Sequence, residues 1–124
     1  MGIQKFEDLI GWQKAQDFAV FIYKQFETST DFGFRNQICR ASISISNNIA
    51  EGFDRSSNPD FRRFLYFSLA SNSEVKSMLY LAQRLGYITE NEKIKLLEHS
   101  NEIGKILNGL INSVSKKLPQ TTNY

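Results

Sequence analysis

Cysteine, histidine and proline are nearly missing from this chain of 124 residues, which holds one Cys, one His and two Pro. A single Cys cannot close an internal disulfide, and with one His it cannot build an ordinary zinc site without carboxylates or a second chain. No run approaches the roughly 18 apolar residues of a membrane span, and Met1 to Asp8 carries no apolar leader core, so the sequence reads as soluble and cytoplasmic with no membrane partner. Neither sign of charge dominates: 15 Lys and Arg against 13 Asp and Glu leave a formal +2. The seven glycines are scattered, and alternating stretches bounded by Asn-Gly or Asp-Gly do not occur, which argues against hairpins and sheets. What is abundant is apolar mass: 41% hydrophobic residues, with 10 Phe and 5 Tyr, enough for one well-filled core.

Helical periodicity accounts for nearly the whole chain. A first helix is predicted from about Glu7 to Thr28, with Leu9, Trp12, Ala19, Tyr23 and Phe26 on its main stripe and Ala15, Phe18 and Ile22 beside it. Asp31 to Gly33 break the pattern. A second helix runs from about Phe34 to Arg55, with Ile38, Ala41, Ile45 and Ile49 at spacings of three and four. Asn58 suits an N-cap, Pro59 a first helical position and Asp60 the positive end of the dipole of a third helix. That helix has the seam Phe64, Ser68, Ser71, Val75, Met78, Ala82, Leu85, and Gly86 suits its C-terminal cap. Thr89 and Glu92 have capping-box spacing, opening a fourth helix with Leu96, Ile103, Leu107, Leu110 and Val114 inward, which fades near Lys116. Short connections force antiparallel neighbours. The expected fold is therefore all-α, an antiparallel up-down-up-down four-helix bundle over residues 1–118, with a flexible tail at 119–124. Val20 and Phe21 lie off the stripes of the first helix, and Phe61, Phe64, Leu65, Tyr66, Phe67 and Leu69 nearly encircle the third. This surplus predicts self-association through helices one and three.

The second helix is polar for a core element. Serine and asparagine compete for the backbone and β-branched residues lose rotamer freedom, so it needs tertiary support. With helices two and three antiparallel, opposed residues have numbers adding to about 114, which sets Arg40 against Glu74, Glu51 against Arg63 and Asn48 near Ser68. Arg55 also reaches Glu51 along its own helix. A network of Arg40, Asn48, Glu51, Arg55, Arg63 and Glu74 that fixes the register of the hairpin is the structural expectation; a ligand or nucleic-acid site built from Arg40, Glu51 and Arg55 is the rival.

The run Gln37-x-x-Arg40-Ala41-x-x-Ser44-Ile45-x-x-Asn48-Ile49-Ala50-Glu51-Gly52-x-x-Arg55, followed by Phe61-x-x-Phe64-Leu65 and Ser71-x-x-Glu74, resembles the four-helix bundle family of proteins encoded in intervening sequences of 23S rRNA genes. The resemblance runs from Phe6, through Leu9, Trp12 and Ala15, to Leu110. Ser68 and Ala70 depart from it, since members usually carry Ala and Gly there. It implies an antiparallel bundle, assembly into a homopentamer and no established catalysis. It also implies, by analogy with accessory proteins of diversity-generating retroelements, a reverse transcriptase or nucleic acid as partner.

Two functions follow. One is a non-catalytic oligomeric scaffold or protein-interaction module. The alternative is an RNA- or DNA-binding accessory protein that uses Arg55, Arg62 and Arg63 near the second turn, with Lys14, Lys116 and Lys117 elsewhere, made effective by repetition across subunits. No cofactor and no metal are expected, and no catalytic residue is assigned. His99, beside Glu98 and Glu102, reads as a surface residue. Cys39 reads as a small buried or boundary side chain with no His near it in sequence to activate it.

Overall fold

The computed structural model describes residues 2–55 and 57–118. Their order is a 3-10 turn, Phe6–Asp8, then α1 (Ile10–Phe26), α2 (Phe32–Phe53), α3 (Asn58–Arg84) and α4 (Glu90–Ser115), with no strand among the described residues. The tail expected at 119–124 lies outside them.

Each helix starts where local chemistry allows it, and three starts differ from expectation. The chain turns at Leu9, which is extended and buried, so the predicted first helix is split. The Gln13 amide donates to the Glu7 carbonyl at 2.8 Å and the Phe6 ring meets Trp12 edge-on, tying the short turn to α1. At α2, the Asp31 carboxylate accepts from Phe34 N at 3.1 Å, so the helix begins before Gly33 and not after it. At α3 the cap is Ser57, which accepts from Asp60 N at 3.3 Å, one residue before the expected Asn58. The Thr89–Glu92 capping box of α4 forms in both directions, at 3.1 and 2.8 Å. Gly86 stands at φ 78°, the left-handed conformation that ends α3.

Adjacent helices run antiparallel, as pairs of contacts along each seam show. A Cβ built on Gly11, early in α1, would meet Ile106 and Leu110, late in α4, and Ile49, late in α2. Gln37 touches Glu74 near the far end of the α2–α3 seam, and Ser68 reaches Ile45 at mid-length. On the α3–α4 seam the Asn72–Ser100 and Gln83–Lys93 contacts follow the same rule. The start of α1, the end of α2, the start of α3 and the end of α4 therefore share one pole of the bundle.

The core takes Ala15, Phe18, Ile22 and Phe26 from α1, and Ile38, Ala41, Ile45 and Ile49 from α2. From α3 it takes Leu65, Val75, Met78, Leu79 and Ala82, and from α4 Leu96, Ile103, Leu107, Ile111 and Val114. Of the expected main stripe, Leu9 and Phe26 at its two ends are buried, but Trp12 and Ala19 are half-buried and Tyr23 is exposed, so the middle of α1 faces the core with the stripe beside it, Ala15, Phe18 and Ile22. In α4, Ile111 replaces Leu110 inside, and Leu85 of the α3 seam is exposed.

Candidate functional site

The α2–α3 hairpin is held by close approach and by hydroxyls. A Cβ on Gly52 would lie 2.5 Å from the Cβ of Phe64 and 3.2 Å from the Phe61 ring, so only glycine lets the two backbones come this near. Ser68, fully buried, donates from Oγ to the Ile45 carbonyl across the seam at 2.7 Å. Ser42 and Ser46 donate to Cys39 O and Ile43 O on their own helix, at 2.7 and 3.3 Å, and Ser46 Oγ accepts from Gln16 of α1 at 2.9 Å. A second buried pair joins α3 to α4: Asn72 Nδ2 donates to Ser100 O, and Ser100 Oγ donates to Asn72 Oδ1, both at 3.0 Å. Sequence reasoning missed this pair. The signal was there, because Leu65, Ser68, Asn72, Val75 and Leu79 recur at core spacing, and an Asn in that row needs a partner. Among the described residues no buried side-chain polar atom lacks a partner.

The ionic pairing expected across the hairpin does not form. Arg40 and Glu74 border the same groove of about 350 Å³, yet no ion pair joins them among the described residues; Glu74 accepts from Gln37 Nε2 at 3.3 Å. Arg40 also borders the neighbouring groove with Tyr23, Arg35 and Ile43, which puts it on the outer ridge of α2, in water. There a contact pair gains only about 1 kcal/mol and must restrain two flexible side chains. Glu51 pairs, as expected from the sequence, with Arg55 just past the end of α2 at 3.3 Å, and Arg63 pairs with Asp60 inside α3 at 3.3 Å, both pairs largely exposed. Asn48 donates to Ser44 O at 2.8 Å, one turn back, and not to Ser68.

Arg55 and Arg63 meet through a ring. The Arg55 guanidinium lies 4.7 Å and that of Arg63 5.3 Å from the centre of Phe64; Arg63 is also 5.8 Å from Phe67, and Arg62 5.8 Å from Tyr66. Three arginines on three aromatic rings thus mark this pole, and Lys116 and Lys117, beyond the end of α4, share it. Phe64 is buried, as its place on the seam predicts, and Tyr66 and Phe67, part of the surplus that encircles α3, are 47% and 45% exposed. Lys14 stands apart, paired with Glu102 of α4 at 3.6 Å.

The match to known proteins runs the length of this architecture. A family model for the 23S rRNA-intervening sequence protein aligns with residues 7–109. The chain belongs to that family. It is also similar to a crystal structure of a protein of unknown function, described as from the S23 ribosomal protein family, of Bacteroides thetaiotaomicron. That match has 32% identity and a TM-score of 0.78, and covers 82% of this chain and 98% of the other. No curated protein matches the sequence. In this member of the intervening-sequence family, burial raises the Cys39 thiol above its ordinary range, only partly offset by the Arg35 charge, so the thiol is a packing group. No cluster of metal-ligating residues occurs among the described residues, and no helix there is long and apolar enough to cross a membrane. His99 is not the bare surface residue expected: it is half-buried, with its ring 4.8 Å from that of Phe21.

Proposed function

We propose that this chain is a non-catalytic, self-associating bundle that serves as a scaffold, presenting its assembled surface to a protein partner. The outer face of α3 carries the reading. Tyr66, Ala70, Ser73, Ser77 and Tyr80 recur at spacings of four and three, all exposed and on the side opposite the core stripe. Phe67 and Leu81 flank them at 45% and 47% exposure; cations cover the two ends, Arg62 at 5.8 Å over the Tyr66 ring and Lys93 at 5.1 Å over the Tyr80 ring, while Glu74 lies beside Ser73 in sequence. A seam with small residues at its centre and aromatics at both ends suits close packing of another helix, and the exposed Tyr66, Phe67, Tyr80 and Leu81 side chains gain by being covered. Val20 and Tyr23 extend the apolar surface along the α1–α2 groove. The homopentamer implied by the family resemblance is the assembly we favour.

Sedimentation equilibrium tests the reading. The wild-type chain sediments as a discrete oligomer at roughly 10–50 µM, and Ser73→Glu/Ser77→Glu reduces it to a helical monomer. A wild-type monomer at those concentrations would sink the proposal.

A second reading, nucleic-acid contact, draws on the Arg55, Arg62 and Arg63 cluster over Phe64, Tyr66 and Phe67, a combination of cations and exposed rings that suits stacked bases. It ranks below the first because Glu51 and Asp60 already sit on two of the three guanidiniums.

A further inference from the structure

The α1–α4 seam opens near the start of α4 into a groove of about 500 Å³. Its floor is Leu96, buried in the core, and one wall is the Phe21 ring, 40% exposed, with the imidazole of His99 tilted against it at 4.8 Å. Lys24 from α1 and Lys95 from α4 stand on opposite rims, both exposed, and neither makes an ion pair among the described residues. Glu92 is the acid of this groove, and its carboxylate is drawn away into the cap of α4, where it accepts from Thr89 N at 2.8 Å. His99 has no hydrogen-bond partner among the described residues, so its ring nitrogens are available.

An apolar floor, a flat aromatic wall, two uncommitted cations on facing rims and a free imidazole define a complementary shape: a planar apolar body carrying one negative charge. We propose that this groove binds a small aromatic carboxylate, ring against Phe21 and Leu96, carboxylate toward Lys24 and Lys95. The volume falls within the range of small-molecule sites and is too short for an extended polymer. A polyanion is disfavoured by Glu92, whereas a single charge on an apolar body gains from the lysines and from burial together. Phe21, which the sequence assigned to self-association, is in this geometry a wall of the groove. The site shares no residue with the outer stripe of α3, though Lys24 also lines the α1–α2 groove, so the Ser73→Glu/Ser77→Glu variant, which should still bind the probe, separates it from the scaffold reading.

The test uses 2-naphthoate as probe and calorimetry on the full chain. Saturable binding is expected below about 1 mM, weakened roughly 5- to 30-fold in Lys24→Ala/Lys95→Ala and absent for the neutral 2-naphthylmethanol. Because both lysines are exposed, the variant keeps its fold, which circular dichroism verifies. The probe should also protect His99, the chain's sole histidine, from carbethoxylation read by mass spectrometry. Absence of saturable heat, equal affinity in the lysine variant, or unprotected His99 at saturation each overturns the proposal.

Discussion

Single residues settle how closely α2 and α3 approach. Alanine at position 52 gains about 1 kcal/mol in helix propensity but drives its methyl into the Cβ of Phe64, an atom fixed to backbone that cannot swing aside. Gly52→Ala should therefore lose about 1–3 kcal/mol net, read as a lower denaturant midpoint at unchanged slope. Asn72→Ala should cost about 1–3 kcal/mol by stranding the Ser100 hydroxyl, and adding Ser100→Ala should recover part of it, a coupling that a double-mutant cycle measures. Residue-scale legibility followed burial. Ile38, Ala41, Ile45 and Ile49 were readable as core because burial is set by helical period. The reach of Arg55 to Glu51 was readable as well, but the cross-hairpin pairings of Arg40 with Glu74 and of Glu51 with Arg63 did not form, because exposed ions choose among rotamers of nearly equal energy and gain little from any one partner.

At the scale of elements, capping residues and punctuation placed the helices well, and the misses have local causes. Leu9 turned out of the helix to bury its side chain, and Asp31 and Ser57 captured amides one or more residues earlier than expected. No sequence signal announced that Asp31 would also join two loops. Tyr87, between α3 and α4, donates its hydroxyl to Asp31 Oδ2 at 2.6 Å, with Phe34 against its ring. This hydrogen bond, then that from Phe34 N, holds the Asp31 carboxyl below the usual carboxylate range, and the same contact raises the Tyr87 hydroxyl. A depressed carboxyl stabilises the fold above the ordinary Asp value near 4, and that contribution is lost as pH falls through the lower folded value. Raising the tyrosine acts at the other limit: its contribution holds below about 10 and is lost above. Tyr87→Phe should flatten the stability profile at both limits, measured as unfolding midpoints across a pH series. An unchanged acid limb would show that the loop contact is energetically idle.

For the whole molecule, the bundle itself was legible because period, caps and short connections agree, and the family motif runs through the same residues. The unfilled part concerns surfaces, where a sequence shows which residues are apolar but not which of them the core leaves uncovered. Salt separates the two uses of that surface. Assembly through the α3 stripe, whose residues are uncharged, should persist from about 50 mM to 1 M NaCl, whereas retention on RNA should fall steeply and be abolished by Arg62→Glu/Arg63→Glu. Retention that survives high salt would contradict the phosphate-contact reading. The hairpin also bears on how this chain tolerates change. The Ile45 carbonyl that receives the Ser68 hydroxyl already accepts a bond inside its own helix, so deleting that hydroxyl orphans nothing there, while any side chain at position 52 meets Phe64. A saturation library selected for folding should accordingly accept small-for-small exchanges all along the serine row yet be thinned most at position 52, and drift between copies of this gene would be channelled around that one tight contact.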